Sequence, residues 1–73
     1  MKPTYYFVEM RTKDQLKPTY FGKKGRFTAT HNREAIENEG YKSWWEAHCQ
    51  ARIYRKNEKS FGRSYGVATC IIR

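Results

Sequence analysis

The stretch from Ser43 to Glu58 is the one segment with a clear helical start and the length of a full helix. Ser43 followed three residues later by Glu46 forms a capping box, in which each side chain can satisfy an orphan backbone donor of the first turn. Trp44, Ala47, Ala51 and Tyr54 then fall on one side of a helix. Ala47 and Ala51 are small enough to let that side lie flat on a sheet, with Trp44 and Tyr54 closing the two ends of the contact.

The chain of 73 residues has room for a single domain, 1–73, with one helix over a small sheet. Its twelve aromatics (two Trp, six Tyr and four Phe) each bury a large area for few rotatable bonds. That content argues against disorder. Dimerisation would add burial that a core this small needs.

Tyr5 to Arg11 reads as a strand in which Tyr6, Val8 and Met10 share one face and Tyr5, Phe7, Glu9 and Arg11 the other. The charged members place Tyr6, Val8 and Met10 against the helix, because a slip of one residue would bury them. Thr12 to Pro18 is a connection. Tyr20–Phe21 and Arg26–Thr30 flank Gly22-Lys23-Lys24-Gly25, a turn or bulge with a basic tip. Asn32 can cap a short turn carrying Ala35 and Ile36, stopped by Gly40. Residues 59 to 66 read as a second Gly-rich, basic, aromatic loop. Val67 to Ile72 is the last strand; its two nearly apolar faces suggest a central place beside the first strand. The expected fold is α+β: an antiparallel sheet of three or four strands with one helix on one face, in the order β-β-(β)-α-β.

The succession Tyr5-Tyr6-Phe7-Val8, Tyr20-Phe21-Gly22, Thr30 with Glu34-Ala35, and Ser43 with Glu46-Ala47 resembles small accessory proteins of bacteriophages and prophages. The similarity spans residues 4 to 54 and rests on turn, cap and small core residues. It implies a short antiparallel sheet covered by a helix, and roles in host takeover or regulation, including anti-CRISPR-like inhibition of bacterial defence. It carries no catalytic residues.

Fifteen Lys and Arg stand against seven Asp and Glu, a net of +8. Residues 33 to 46 hold Glu34, Glu37, Glu39 and Glu46 against Arg33 and Lys42, so this segment is −2 and the remainder +10. Such a surface attracts polyanions: DNA or RNA first, an acidic protein surface of a host complex second. Lys23, Lys24 and Arg26 sit on one glycine-bounded turn, and Lys59 and Arg63 on another. Glycine-rich backbone lets such groups approach phosphates closely. Neither turn is a nucleotide-hydrolase phosphate loop, since no Gly-Lys-Ser/Thr follows. The plain alternative is a pair of solvated loop tips. Arg52, Arg55 and Lys56 extend the same charge along the helix.

Tyr5 and Phe7, on the strand face away from the helix, could stack on unpaired bases. The alternative, favoured, is that a loop or dimer partner covers them. Lys24-Gly25-Arg26-Phe27 departs from the ribonucleoprotein signature at its third position. Trp45, Cys49 and Ile53 form a second helix stripe, about 100° from the first. It either widens the core contact, the safer reading in so small a domain, or anchors a partner through Trp45.

No enzyme, metal or cofactor site emerges. His48 and Cys49 are adjacent on the helix and point about 100° apart, too divergent for a base and its thiolate. Cys49 and Cys70 have no metal spacing and read as free thiols. No apolar run approaches the roughly 20 residues of a membrane span. Glu9 and Arg11 interrupt any signal-peptide core, which places the protein in the cytoplasm, that of the host cell if phage-encoded. The sequence points to a small basic non-enzymatic binding protein, or to a protein–protein inhibitor of a bacterial nucleic-acid-processing complex.

Overall fold

The computed structural model describes residues 3–28, 32–57 and 62–72. It contains β1 (Thr4–Thr12), β2 (Thr19–Gly22), β3 (Gly25–Phe27), α1 (Arg33–Glu39), α2 (Trp44–Asn57) and β4 (Arg63–Ile71), in that order. The strands form one antiparallel sheet in the order β3-β2-β1-β4, an α+β fold. None of the helices among the described residues is long and apolar enough to cross a membrane.

Alternation along β1 sorts the sheet into two cores. Val8, fully buried, faces α2 with Tyr6 and Met10, as its charged neighbours require. Ala47 and Ala51 lie over Val8, Tyr41 and Tyr65. Their small side chains let the helix backbone come close to the sheet. Tyr54 bridges the strands at the far end, 5.1 Å from Phe21 of β2 and 5.9 Å from Tyr65 of β4 between ring centroids. Each large side chain buried here is worth about 1.5–3 kcal/mol. The other face holds Phe7, Phe27, Ile36 and Ile72, with Phe7 and Phe27 stacked at 4.5 Å.

Ser43 caps α2 as its spacing with Glu46 predicts: the Glu46 N–H donates to Ser43 Oγ at 3.1 Å. The turn expected after Asn32 is a helix of seven residues, capped by Asn32 Oδ1 accepting from the Ala35 N–H at 3.1 Å. Its Ile36 seals the second core. Gly40 ends this helix for a reason other than left-handed backbone, since its φ is −73°. A Cβ there would lie 2.7 Å from the Ile36 carbonyl oxygen and 2.9 Å from Tyr5 Cβ. The next residue, Tyr41, exchanges backbone hydrogen bonds of 2.8 Å with Tyr6 in both directions, continuing the sheet where β2 has ended.

The structure corrects several sequence expectations. Arg63, Ser64, Tyr65 and Gly66 belong to β4, and Tyr65 is core. The strand lies beside β1 but at the edge of the sheet. Its two apolar faces reflect cover on both sides, Val67 under α2 and Cys70 in the second core, rather than a strand on each flank. Trp44 is half exposed and stacks on His48 at 4.6 Å instead of closing the core. Phe7, a candidate for base stacking, is 3% exposed and lies under Phe27 and Ile36, and Tyr5 packs at the margin of the same cluster. The stripe Trp45, Cys49 and Ile53 does not widen the core: Trp45 is 62% and Ile53 48% exposed.

Candidate nucleic-acid interface

The hairpin tip is set by two glycines with different duties. Gly25 takes φ +106°, while Lys23 and Lys24 keep negative φ. Gly22 is needed for close approach: a Cβ would sit 2.5 Å from the Glu39 carbonyl oxygen. The same oxygen accepts from the Lys23 N–H at 2.7 Å, tying the tip to the end of α1. Lys23 and Lys24 are thus exposed on a turn whose backbone is held. Arg26 is the cross-strand partner of Phe21 and shares its side of the sheet, the side of α2, where it is exposed.

The outer face of α2 continues this surface. Lys23, Tyr41, Trp45, Glu46, Cys49 and Gln50 line one shallow depression. Cys49, Arg52, Ile53, Arg55 and Lys56 line a second. Cys49 borders both, so the hairpin tip and the C-terminal half of the helix bound one strip. An apolar centre of Trp45, Cys49 and Ile53 is rimmed by Lys23, Arg52 and Lys56. Glu46 supplies an acidic group on the rim. Tyr41 lies beneath; burial, then Tyr54 and Glu46, push its phenol above its ordinary pKa. The hydroxyl donates to the Gly22 carbonyl at 3.4 Å.

The ion pairs among the described residues are Arg11–Glu9 at 2.6 Å and Arg33–Glu37 at 3.3 Å. Arg11 is held above its usual pKa by the hydrogen bond and charge of Glu9. Lys23, Lys24, Arg26, Arg52 and Lys56 pair with no described carboxylate. Arg55 is exposed but partly committed, its Nη2 donating to the Tyr65 carbonyl at 2.8 Å. Arg63 is exposed at the start of β4, and Lys59 lies outside the described residues.

Sequence reasoning overlooked the exposed aromatic group at the start of α2. His48 packs against Trp44 at 4.6 Å and Trp45 at 5.6 Å. The signal was present, because i,i+3 and i,i+4 neighbours meet on a helix. Cys49 lies on α2 and Cys70 in the core beneath the opposite sheet face. Among the described residues no group of three or more His, Cys, Asp and Glu could hold a metal ion.

Comparison with protein-family models, curated proteins and solved structures finds no match to this chain.

Proposed function

We propose that this is a small non-enzymatic nucleic-acid-binding protein, of the kind bacteriophages encode, acting in the cytoplasm of a host cell. The observation carrying this reading is that Lys23, Lys24 and Arg26 of the hairpin and Arg52 and Lys56 of α2 are exposed and without carboxylate partners among the described residues. Charges that no described carboxylate answers are available to phosphates. Trp45, exposed in the depression that Lys23 lines, and the half-exposed Trp44 offer rings for unpaired bases. Lys59 and Arg63 belong to the same proposal by charge.

The test is electrophoretic mobility of labelled duplex and single-stranded DNA and RNA across a salt series. Affinity should fall steeply with salt, by a log–log slope of about 0.9 per neutralised phosphate on duplex DNA. Lys23→Ala with Lys24→Ala, and separately Arg52→Ala with Lys56→Ala, should each flatten that slope. No shift at low salt removes this reading.

A second reading has its own support. The centre of the strip is apolar, with Trp45 and Ile53 both exposed. Trp anchors ringed by Arg are the usual hot spots of protein interfaces. On this reading the protein inhibits a nucleic-acid-processing complex of the host by occupying an acidic surface or a groove meant for nucleic acid. Recovery of a stable partner from nuclease-treated bacterial lysate, lost on Trp45→Ala, would favour it.

A further inference from the structure

We infer that two copies of this chain pair edge to edge through β4, antiparallel about a two-fold axis at Thr69, joining their sheets into one. This stands apart from the nucleic-acid reading. The reciprocal bonds between Tyr6 and Tyr41 fix which way each β1 residue points its backbone groups. Tyr6 faces the β2 side, so Tyr5, Phe7, Glu9 and Arg11 bond to β4, through their partners Cys70, Ala68, Gly66 and Ser64. Tyr65, Val67, Thr69 and Ile71 therefore turn their N–H and C=O groups to the open edge. The Arg55 guanidinium on the Tyr65 carbonyl confirms that sense from outside the sheet. Among the described residues nothing bonds the outward groups of Val67, Thr69 and Ile71.

Open edges are normally blunted by charge, proline, a bulge or short length. β4 runs nine residues, and Ser64 to Ile72 contains no charged residue and no proline. Among the described residues only Arg55 guards it, and only in its first part. A second copy fits what remains. Only the register that sets Thr69 against Thr69 pairs Val67, Thr69 and Ile71 of both chains; Tyr65, its carbonyl occupied, then stands opposite position 73, outside these three pairs. It also sets Val67 opposite Ile71, which is 53% exposed in the single chain. Thr–Thr and β-branched pairs are favourable cross-strand neighbours. No charged residue falls within these three pairs, although each copy carries +8. The two-fold axis keeps both α2 helices on one side of the joined sheet, doubling the basic strip.

Sedimentation equilibrium of the wild type should give twice 8.8 kDa. Added salt should tighten the pairing of two basic bodies, whereas it loosens phosphate contacts. Thr69→Pro removes an N–H that β1 does not use, which an edge strand tolerates. It should raise the dissociation constant about a hundredfold or more with an unchanged far-UV circular dichroism spectrum. Thr69→Lys, which places like charges opposite each other, should do the same if proline disturbs the strand. With Cys49→Ser and Cys70→Ser, Thr69→Cys should be joined into a covalent dimer by a short bis-maleimide, since Cα atoms of a hydrogen-bonded pair lie only about 5.5 Å apart. A monomer mass throughout, a dimer indifferent to both edge substitutions, or a Thr69→Cys protein that fails to cross-link each overturns the proposal.

Discussion

The two sides of α2 invert the usual allocation of side chains. Its inner side is built from Ala47 and Ala51, at 0% and 2% exposure. Its outer side carries Trp45 and Ile53, about half exposed or more, with Cys49 between them. The side that touches the sheet is small because the sheet supplies the bulk: Tyr6, Val8, Met10, Phe21, Tyr65 and Val67 all rise toward the helix. Large residues beneath the helix would lift it off that layer. Large residues above it are free of the packing constraint, and their presence in water is what the proposed interface draws on.

If closeness of approach governs the inner side, enlarging it should do the most damage. Ala51→Phe adds a ring where the helix meets Val8 and Tyr65. It should cost about 3 kcal/mol or more, the upper end for overpacking. Urea unfolding followed by circular dichroism would check this; a loss below 1 kcal/mol would mean that the helix floats on the sheet. Tyr54→Ala tests the opposite change at the end of the same side. It deletes the ring between Phe21 and Tyr65. Because Tyr54 is only partly buried, the loss should be about 2 kcal/mol, short of the ~3–5 kcal/mol for fully buried aromatics.

Much of this fold was legible because its signals are local. The spacing of Ser43 and Glu46, the charges alternating along β1, and the positive φ of Gly25 after Lys23 and Lys24 each act within a few residues. What escaped depends on contacts distant in sequence. Tyr41 joins the sheet only because Gly22 and Gly40 let α1 approach the strands closely. Tyr65 looked like part of a loop because Gly62, Ser64 and Gly66 surround it, yet pairing with Met10 carries β4 through them. The outer stripe of α2 was misread toward the core because two stripes 100° apart are equivalent until a sheet chooses one. The candidate site was legible in its charges and not in its shape, since Lys23 meets the helix through the tie of its N–H to Glu39.

The entry to α2 should respond less than its inner side. Ser43→Ala removes the oxygen that accepts from the Glu46 N–H at 3.1 Å. The cost should be about 1 kcal/mol, read as a shift of the urea midpoint at constant slope. Asp at this position should restore most of it, because an aspartate also accepts that bond and favours the positive end of the helix. A loss as large as that of Ala51→Phe would mean that the cap, rather than the fit of the inner side, holds the helix in place.

The outer side gives the smallest effect on folding and the sharpest contrast. Trp45→Ala and Ile53→Ser remove surface already about half in water or more, so each should change stability by no more than about 0.5 kcal/mol. A hot-spot Trp typically costs about 2 kcal/mol of binding when truncated, or roughly thirtyfold in affinity. The two readouts must therefore separate: unfolding curves that nearly superimpose, and affinity for nucleic acid or for a captured partner that drops. Should Trp45→Ala unfold the protein as readily as Ala51→Phe does, the indole is a structural cover for the groove between α2 and the hairpin, and both sides of the helix belong to the core. Should it leave stability and binding alike unchanged, the interface lies with Lys23, Lys24 and Arg26 alone, and the helix is there only to hold the sheet beneath them.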